Sequence, residues 1–106
     1  MIESLEVAVL NWAEERGIFE SGTPISQFRK TEEEVTELHT ALLFDDKEAI
    51  KDAIGDIVVT LIIQAHMHGL SLGQCLASAY HEIRDRKGKM VGGLFVKEGC
   101  WNSPRR

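Results

Sequence analysis

The stretch from residue 32 to residue 37 holds four glutamates at spacings that could do chemistry. Glu33 and Glu34 each precede Glu37 by about one helical turn, so their carboxylates lie side by side on a helix. Like charges at this spacing repel by roughly a few tenths of a kcal/mol per pair. A glutamate-rich stretch is often only a solvated helix face. The alternative is a cation-binding surface, and a second acidic stretch bears on that choice.

Asp52 and Asp56 lie one turn apart in an otherwise apolar segment. Because their face continues into Val59, we expect Asp56 to be at least partly buried. A buried carboxylate needs a compensating charge, and no lysine or arginine lies between Asp52 and Arg84. A hard divalent cation such as magnesium, which takes oxygen ligands, would supply that charge. For Asp56 alone, a hydrogen bond to the backbone or to Thr60 is the simpler alternative.

Helical periodicity runs from residue 2 to residue 87 and predicts an all-α fold, a four-helix bundle with a short extended C-terminal tail. Neighbouring antiparallel helices would bring the two acidic stretches face to face. We expect a single domain over residues 1–106, with helices at about 2–16, 24–44, 46–68 and 71–87 and a tail at 88–106.

Capping residues set the helix limits. Thr23 is the expected N-cap of the second helix, with Pro24 at its first position, and Asp45 or Asp46 caps the third. Ser71 caps the fourth. Beyond residue 88, glycines and β-forming residues favour an extended tail or a short hairpin.

The third predicted helix is apolar almost all round, because Val59 and Ile63 lie off its main stripe. Such a helix is normally buried on most sides, which a four-helix monomer of this length hardly achieves. We therefore expect a homo-oligomer, either a dimer or a tetramer.

Composition restricts the partners. The formal net charge of −5 argues against long nucleic acid, which requires a broad basic face. The longest apolar run is too short to cross a bilayer, and the N-terminus has no signal-peptide pattern, so we expect a cytoplasmic protein with free thiols at Cys75 and Cys100. One local basic group suits a small anion, although such runs are often solvated helix ends. It consists of Arg84, Arg86, Lys87, Lys89, Arg105 and Arg106.

These residues also resemble a known family. The tract Glu33–Leu38 (EEVTEL), followed by Ile54–Val58 (IGDIV), resembles the EExxE and ExxD signature of the MazG-like all-α nucleotide pyrophosphohydrolases. The tracts Ala79–Met90 and Gly93–Glu98 are similar to those of short MazG-like proteins from phages and bacteria. The resemblance covers most of the chain, from about residue 25 to residue 98.

The resemblance implies hydrolysis of a nucleoside triphosphate to the monophosphate and pyrophosphate with bound Mg²⁺, for which Mn²⁺ could substitute. Glu33 and Glu34 would be the catalytic pair. Glu34, Glu37 and Asp56 would be metal ligands, and Glu33 would be a further ligand or would orient the attacking water.

Basic residues of the fourth predicted helix and the tail would bind the substrate. Many relatives have asparagine where this chain has His81, which leaves sugar or base recognition open. The substrate-binding positions implied by the resemblance are His81, Arg84, Arg86 and Lys89.

One departure concerns the metal. Where the ExxD signature has its first acid this chain has Ala53, with Asp52 one position earlier. The fourth ligand is therefore either Asp52, after a small helix rotation, or absent. The alternatives to an enzyme are a non-catalytic nucleotide-binding module that kept the fold and a purely structural or regulatory helical dimer.

Overall fold

The computed structural model describes residues 1–99, which are mostly helical, in agreement with the expected fold class. Helix α3 packs antiparallel along α4, and α1 packs on both α2 and α4. The described elements are α1 (Ile2–Glu15), α2 (Ile18–Ser21), α3 (Pro24–Leu43), α4 (Lys47–Met67), α5 (Leu72–Ile83), β1 (Gly88–Val91) and β2 (Leu94–Lys97).

Side-chain caps begin both long helices. The Thr23 hydroxyl accepts from the Ser26 amide at 3.1 Å, and the Ser26 hydroxyl accepts from the Thr23 amide at 2.9 Å, which forms a capping box ahead of α3. Of the two candidates for α4, Asp46 is the cap, and its carboxylate accepts from the Ala49 amide at 3.1 Å. These local bonds fix the ends of the two helices that carry the acids.

The start of α5 is held from two directions. The Ser71 hydroxyl accepts from the Gln74 amide at 3.0 Å, as expected of its cap. In addition the Glu6 carboxylate of α1, which is buried, accepts from the Leu72 amide at 2.7 Å. A carboxylate at this end of a helix satisfies a free amide and faces the positive pole of the helix dipole.

Helix α5 ends at Ile83, four residues earlier than residue 87, where we expected its end. The Lys87 carbonyl accepts from the Glu98 amide at 2.7 Å, so Lys87 already extends the β1–β2 pairing and is unavailable to a helix. Of the two forms expected beyond residue 88, the described residues adopt the hairpin. Gly92 and Gly93 both have positive φ at its turn, where other residues would be strained.

One short helix was not predicted. Gly17, with φ of 74°, ends α1, and α2 follows directly. The Phe19 ring of α2 packs against the ring of His66 on α4, with 4.6 Å between the ring centroids. Four residues are too few for a helical period to be recognised in a sequence.

The described chain divides into two compact units, one spanning Met1–Cys75 and the other beginning at Leu76.

Among the described residues no single helix is long and apolar enough to span a membrane, and only α4 and α5 taken as a sharply bent pair reach the required length and hydropathy. Of the six hydrophobic residues that are buried within residues 1–99, four are alanines. The six are Ala13, Ala41, Ala53, Ile62, Ile63 and Ala65.

Candidate metal centre

Three carboxylates from α3 and α4 converge within the first unit. One oxygen each from Glu34, Glu37 and Asp56 lies within 4.8 Å of the other two. The two glutamates are neighbours because they are three residues apart on a helix, and Asp56 joins them because α4 runs antiparallel to α3. These are the three residues that the family resemblance implies as metal ligands.

Glu34 is the buried member of this group, with 8% of its surface exposed. Burial raises the pKa of Glu34, and the carboxylates of Glu37 and Asp56 raise that pKa further. Its Oε2 atom is buried without any hydrogen-bond partner. A buried oxygen without a partner destabilises the chain unless a ligand compensates it. The expected burial of Asp56 was wrong, since Asp56 is exposed and Glu34 instead occupies the helix contact.

Lys30 supplies a positive charge that the sequence reasoning missed. Its Nζ atom lies 3.7 Å from Oε1 of Glu34 and 3.9 Å from Oε1 of Glu33. Lys30 lies about one turn before the glutamates on their own helix, outside the segment from Asp52 to Arg84 that lacks lysine and arginine. Lys30 acts to lower the pKa of Glu34, against the net rise. Because the lysine side chain is 56% exposed, this ion pair contributes little stability.

Glu33 and Asp52 lie outside the group of three acids. The Glu33 side chain is 67% exposed and pairs with Lys30. Asp52 is exposed on the groove that Glu37 and Asp56 also line, while Ala53 is buried. The side chain at position 53 therefore faces the protein interior, and the carboxylate available near this position is that of the preceding residue, Asp52.

The groove beside the acids has a volume of about 550 Å³, which is large enough for a small-molecule ligand. It runs between α3 and α4 towards the turn that joins them. Its lining residues are Thr36, Glu37, Thr40, Ala41, Phe44, Asp46, Ala49, Asp52, Ala53 and Asp56.

The expected substrate-binding residues belong to the second unit. His81 is in the last turn of α5, and Lys89 is in β1. Arg84 follows α5, and its Nε atom lies 3.6 Å from a carboxylate oxygen of the neighbouring Asp85. Arg86 lies between α5 and β1. Two further residues of the basic group, Arg105 and Arg106, and the thiol of Cys100 lie outside the described residues.

The donor set of the group of three acids suits a hard divalent cation. All three side chains offer carboxylate oxygens, which magnesium and manganese accept readily. The buried Oε2 atom of Glu34 is a further sign that a positive ligand belongs there, because this atom is closed off from solvent and Lys30 approaches the other oxygen. The residues present therefore fit the metal that the family resemblance implies.

Comparison with known proteins identifies the same segment. The phosphoribosyl-ATP pyrophosphohydrolase family matches residues 17–82, more than half of the chain and all of α3 and α4. This family falls within the MazG-like all-α pyrophosphohydrolases, so the resemblance inferred from the two acidic tracts is confirmed.

One relative comes from a bacteriophage. An uncharacterized 18.2 kDa protein in the rep-hol intergenic region of Haemophilus phage HP1 (strain HP1c1) is 38% identical over 64 residues, which cover 60% of this chain. The match covers 39% of the length of the phage protein. No solved structure matches the chain.

Proposed function

The chain belongs to the phosphoribosyl-ATP pyrophosphohydrolase family, and on this premise we propose that it hydrolyses a nucleoside triphosphate to the monophosphate and pyrophosphate with Mg²⁺. Membership indicates pyrophosphohydrolase activity on a nucleotide. The observation that supports a bound metal is the convergence of Glu34, Glu37 and Asp56, together with the buried Oε2 atom of Glu34 that has no hydrogen-bond partner.

The reaction adds water across the bond between the α- and β-phosphates. The water oxygen bonds to the α-phosphorus, and the bridging oxygen leaves with pyrophosphate. A bound divalent ion supplies charge compensation at the phosphate and favours ionisation of water. Glu34, Glu37 and Asp56 hold the ion, and Mn²⁺ substitutes for Mg²⁺. Glu33 is exposed next to them and either adds a ligand or orients the water and accepts its proton.

Further residues of the chain take part in this proposal. Asp52 stands on the same groove as Glu37 and Asp56 and provides the fourth acid in place of the missing one at position 53. The phosphates carry negative charge and call for cationic partners beyond the metal. These partners are the basic residues Arg84, Arg86 and Lys89, with His81 contacting the sugar or the base.

Phosphoribosyl-ATP is the second candidate substrate, and the family match is the observation that favours it. Its triphosphate would be cleaved at the same bond by the same acids. The two candidates differ in the groups beyond the triphosphate, which include the additional phosphoribosyl group of phosphoribosyl-ATP.

The test is pyrophosphate release by purified protein with Mg²⁺ over canonical, deoxy and damaged nucleoside triphosphates and phosphoribosyl-ATP. The Asp56→Asn variant removes one ligand charge and is expected to lower the rate by at least about 100-fold, with Asp45→Asn, an exposed aspartate in the turn between α3 and α4 that does not line the groove, as the matched control. Nucleotide binding without turnover would favour the non-catalytic module. No change of melting temperature with Mg²⁺ or Mn²⁺ would favour the purely structural dimer.

A further inference from the structure

The buried positions of α3, which packs along α4, hold polar and small side chains. The buried residues of α3 are Gln27, Glu34 and Ala41, which recur every seven residues. On α4, the buried residues Ala53 and Thr60 are also seven apart. Seven-residue spacing keeps a stripe facing the partner helix. Ile62 and Ile63 of α4 are buried as well, but the buried residues of α3 bury little apolar surface. Hydrophobic packing alone therefore fixes the position of α3 along α4 only weakly.

Hydrogen bonds between α3 and α4 add directional contacts that fix the position of one helix along the other. The Gln27 side-chain amide donates to the Thr60 carbonyl at 3.1 Å, and the Thr31 hydroxyl donates to the Thr60 hydroxyl at 2.9 Å. The Thr60 hydroxyl in turn donates to the Ile57 carbonyl at 2.7 Å. Thr60 is 4% exposed and Gln27 is 8% exposed, so separating the two helices would leave the buried Gln27 amide without the acceptor that it has here.

This polar layer lies next to the acids along both helices. Thr31 comes three residues before Glu34, and Thr60 comes four residues after Asp56, which is about one turn in each case. Sliding one helix by a single turn would displace its side chains by about 5.4 Å. The carboxylate oxygens lie within 4.8 Å of one another, so such a slip would move Asp56 out of reach of Glu34 and Glu37.

We propose that the Gln27, Thr31 and Thr60 layer sets the register of α3 against α4 and thereby holds Asp56 opposite Glu34 and Glu37. Thr31 and Thr60 are then positioning residues for the metal, a role that rests on the proposed function. The hydroxyl of Thr60 is fully engaged within the protein, whereas Oε2 of Glu34 is not. The polar layer thus fixes the register of the two helices, and the adjacent group of three acids binds the ligand.

The experiment measures the Kd of Mn²⁺ for the full chain by electron paramagnetic resonance, without substrate. Thr60→Val keeps the side-chain shape and removes the hydroxyl, and it is expected to weaken Mn²⁺ binding about tenfold or more, as loss of a group supporting metal ligands does. Thr60→Ser keeps the hydroxyl and is expected to bind Mn²⁺ as the wild type does. Thr31→Val, at a half-buried position, repeats the test if Thr60→Val does not fold.

The control separates register from general stability. Ala13 is fully buried on α1, and Ala13→Gly lowers the stability of that helix without touching the α3–α4 hydrogen bonds. Wild-type affinity in this variant supports the proposal. Wild-type affinity in both valine variants, or an equal loss in Ala13→Gly, overturns it. A wild-type chain that binds no Mn²⁺ would overturn the metal site itself, which distinguishes the two failures.

Discussion

Glu34 combines burial, close like charges and an oxygen without a hydrogen-bond partner in one residue. Each of these features destabilises the ionised carboxylate in the metal-free chain, and Lys30 reaches only its other oxygen. A residue that is unfavourable without a ligand is expected where the ligand is part of the working protein. Stability and metal binding should therefore respond in opposite directions when the charge is removed.

We predict that Glu34→Gln stabilises the metal-free chain by roughly 1 kcal/mol, because the amide carries no charge into the contact between α3 and α4. For a domain of this size that corresponds to a rise of about 4–8 °C in melting temperature. Adding Mg²⁺ should raise the melting temperature of the wild type and leave that of the variant unchanged. The exposed Glu48→Gln serves as control and should keep the response to Mg²⁺.

The pH dependence follows from the same carboxyl group. Its pKa in the folded chain is raised above the ordinary value of 4.5, so the folded state holds the proton more tightly than the unfolded state. The stabilisation from this proton is complete below pH 4.5 and is lost as pH rises through the raised pKa. Urea unfolding in the absence of metal should show the advantage of Glu34→Gln growing over that interval. An advantage that shrinks as pH rises would contradict the assignment.

At the level of helices and strands, features with a local cause were predictable. Thr23 and Ser71 were recognised as caps, and Asp46 as one of two candidates, because a cap bonds to an amide only a few residues away. Glu34 and Glu37 are neighbours by helix geometry alone. The placement of Asp56 opposite these glutamates followed from the antiparallel pairing expected of neighbouring helices, and the ordered motif agreed with it.

Features that depend on distant partners escaped prediction. The end of α5 is decided by the pairing of Lys87 with Glu98, and the buried acid is decided by which face of α3 meets α4. No local pattern in the sequence singles out Glu6, whose carboxylate caps α5 from 66 residues away.

We predict that Glu6→Ala destabilises the chain by about 1–2 kcal/mol, because the Leu72 amide loses a charged acceptor at a partly buried site. Glu3→Ala on the same helix is the matched control, since the Glu3 side chain is 92% exposed. Urea unfolding of both variants measures the difference. Equal midpoints would show that the cap contributes no net stability.

At the level of the whole molecule, the assembly of subunits is expected to depend on an apolar face of α4 that is exposed to solvent in the single chain. Ile54, Val58 and Leu61 follow one another at helical spacing and are 51%, 38% and 39% exposed. The sequence predicted a helix apolar on nearly all sides, and these residues are the apolar positions that the first unit leaves uncovered. A second copy of the chain is the cover that we expect for them.

We predict a dimer or tetramer by light scattering at micromolar concentration. Val58→Lys places a charge in this stripe and should shift the chain towards the monomer, because burying an unpaired charge is strongly unfavourable. Glu14→Lys adds a lysine at an exposed position of α1 and should keep the mass of the wild type. A monomeric wild type, or one mass for all three proteins, would exclude this face as the contact.

The predominance of alanine among the buried hydrophobic residues also has a calorimetric consequence. Heat capacity increases on unfolding in proportion to the apolar area that becomes hydrated, and alanine contributes little of it. A single chain should therefore unfold with a smaller heat-capacity change than its length suggests, and subunit association should supply much of the remainder. Differential scanning calorimetry over a dilution series would then show a transition that moves to lower temperature as the protein is diluted.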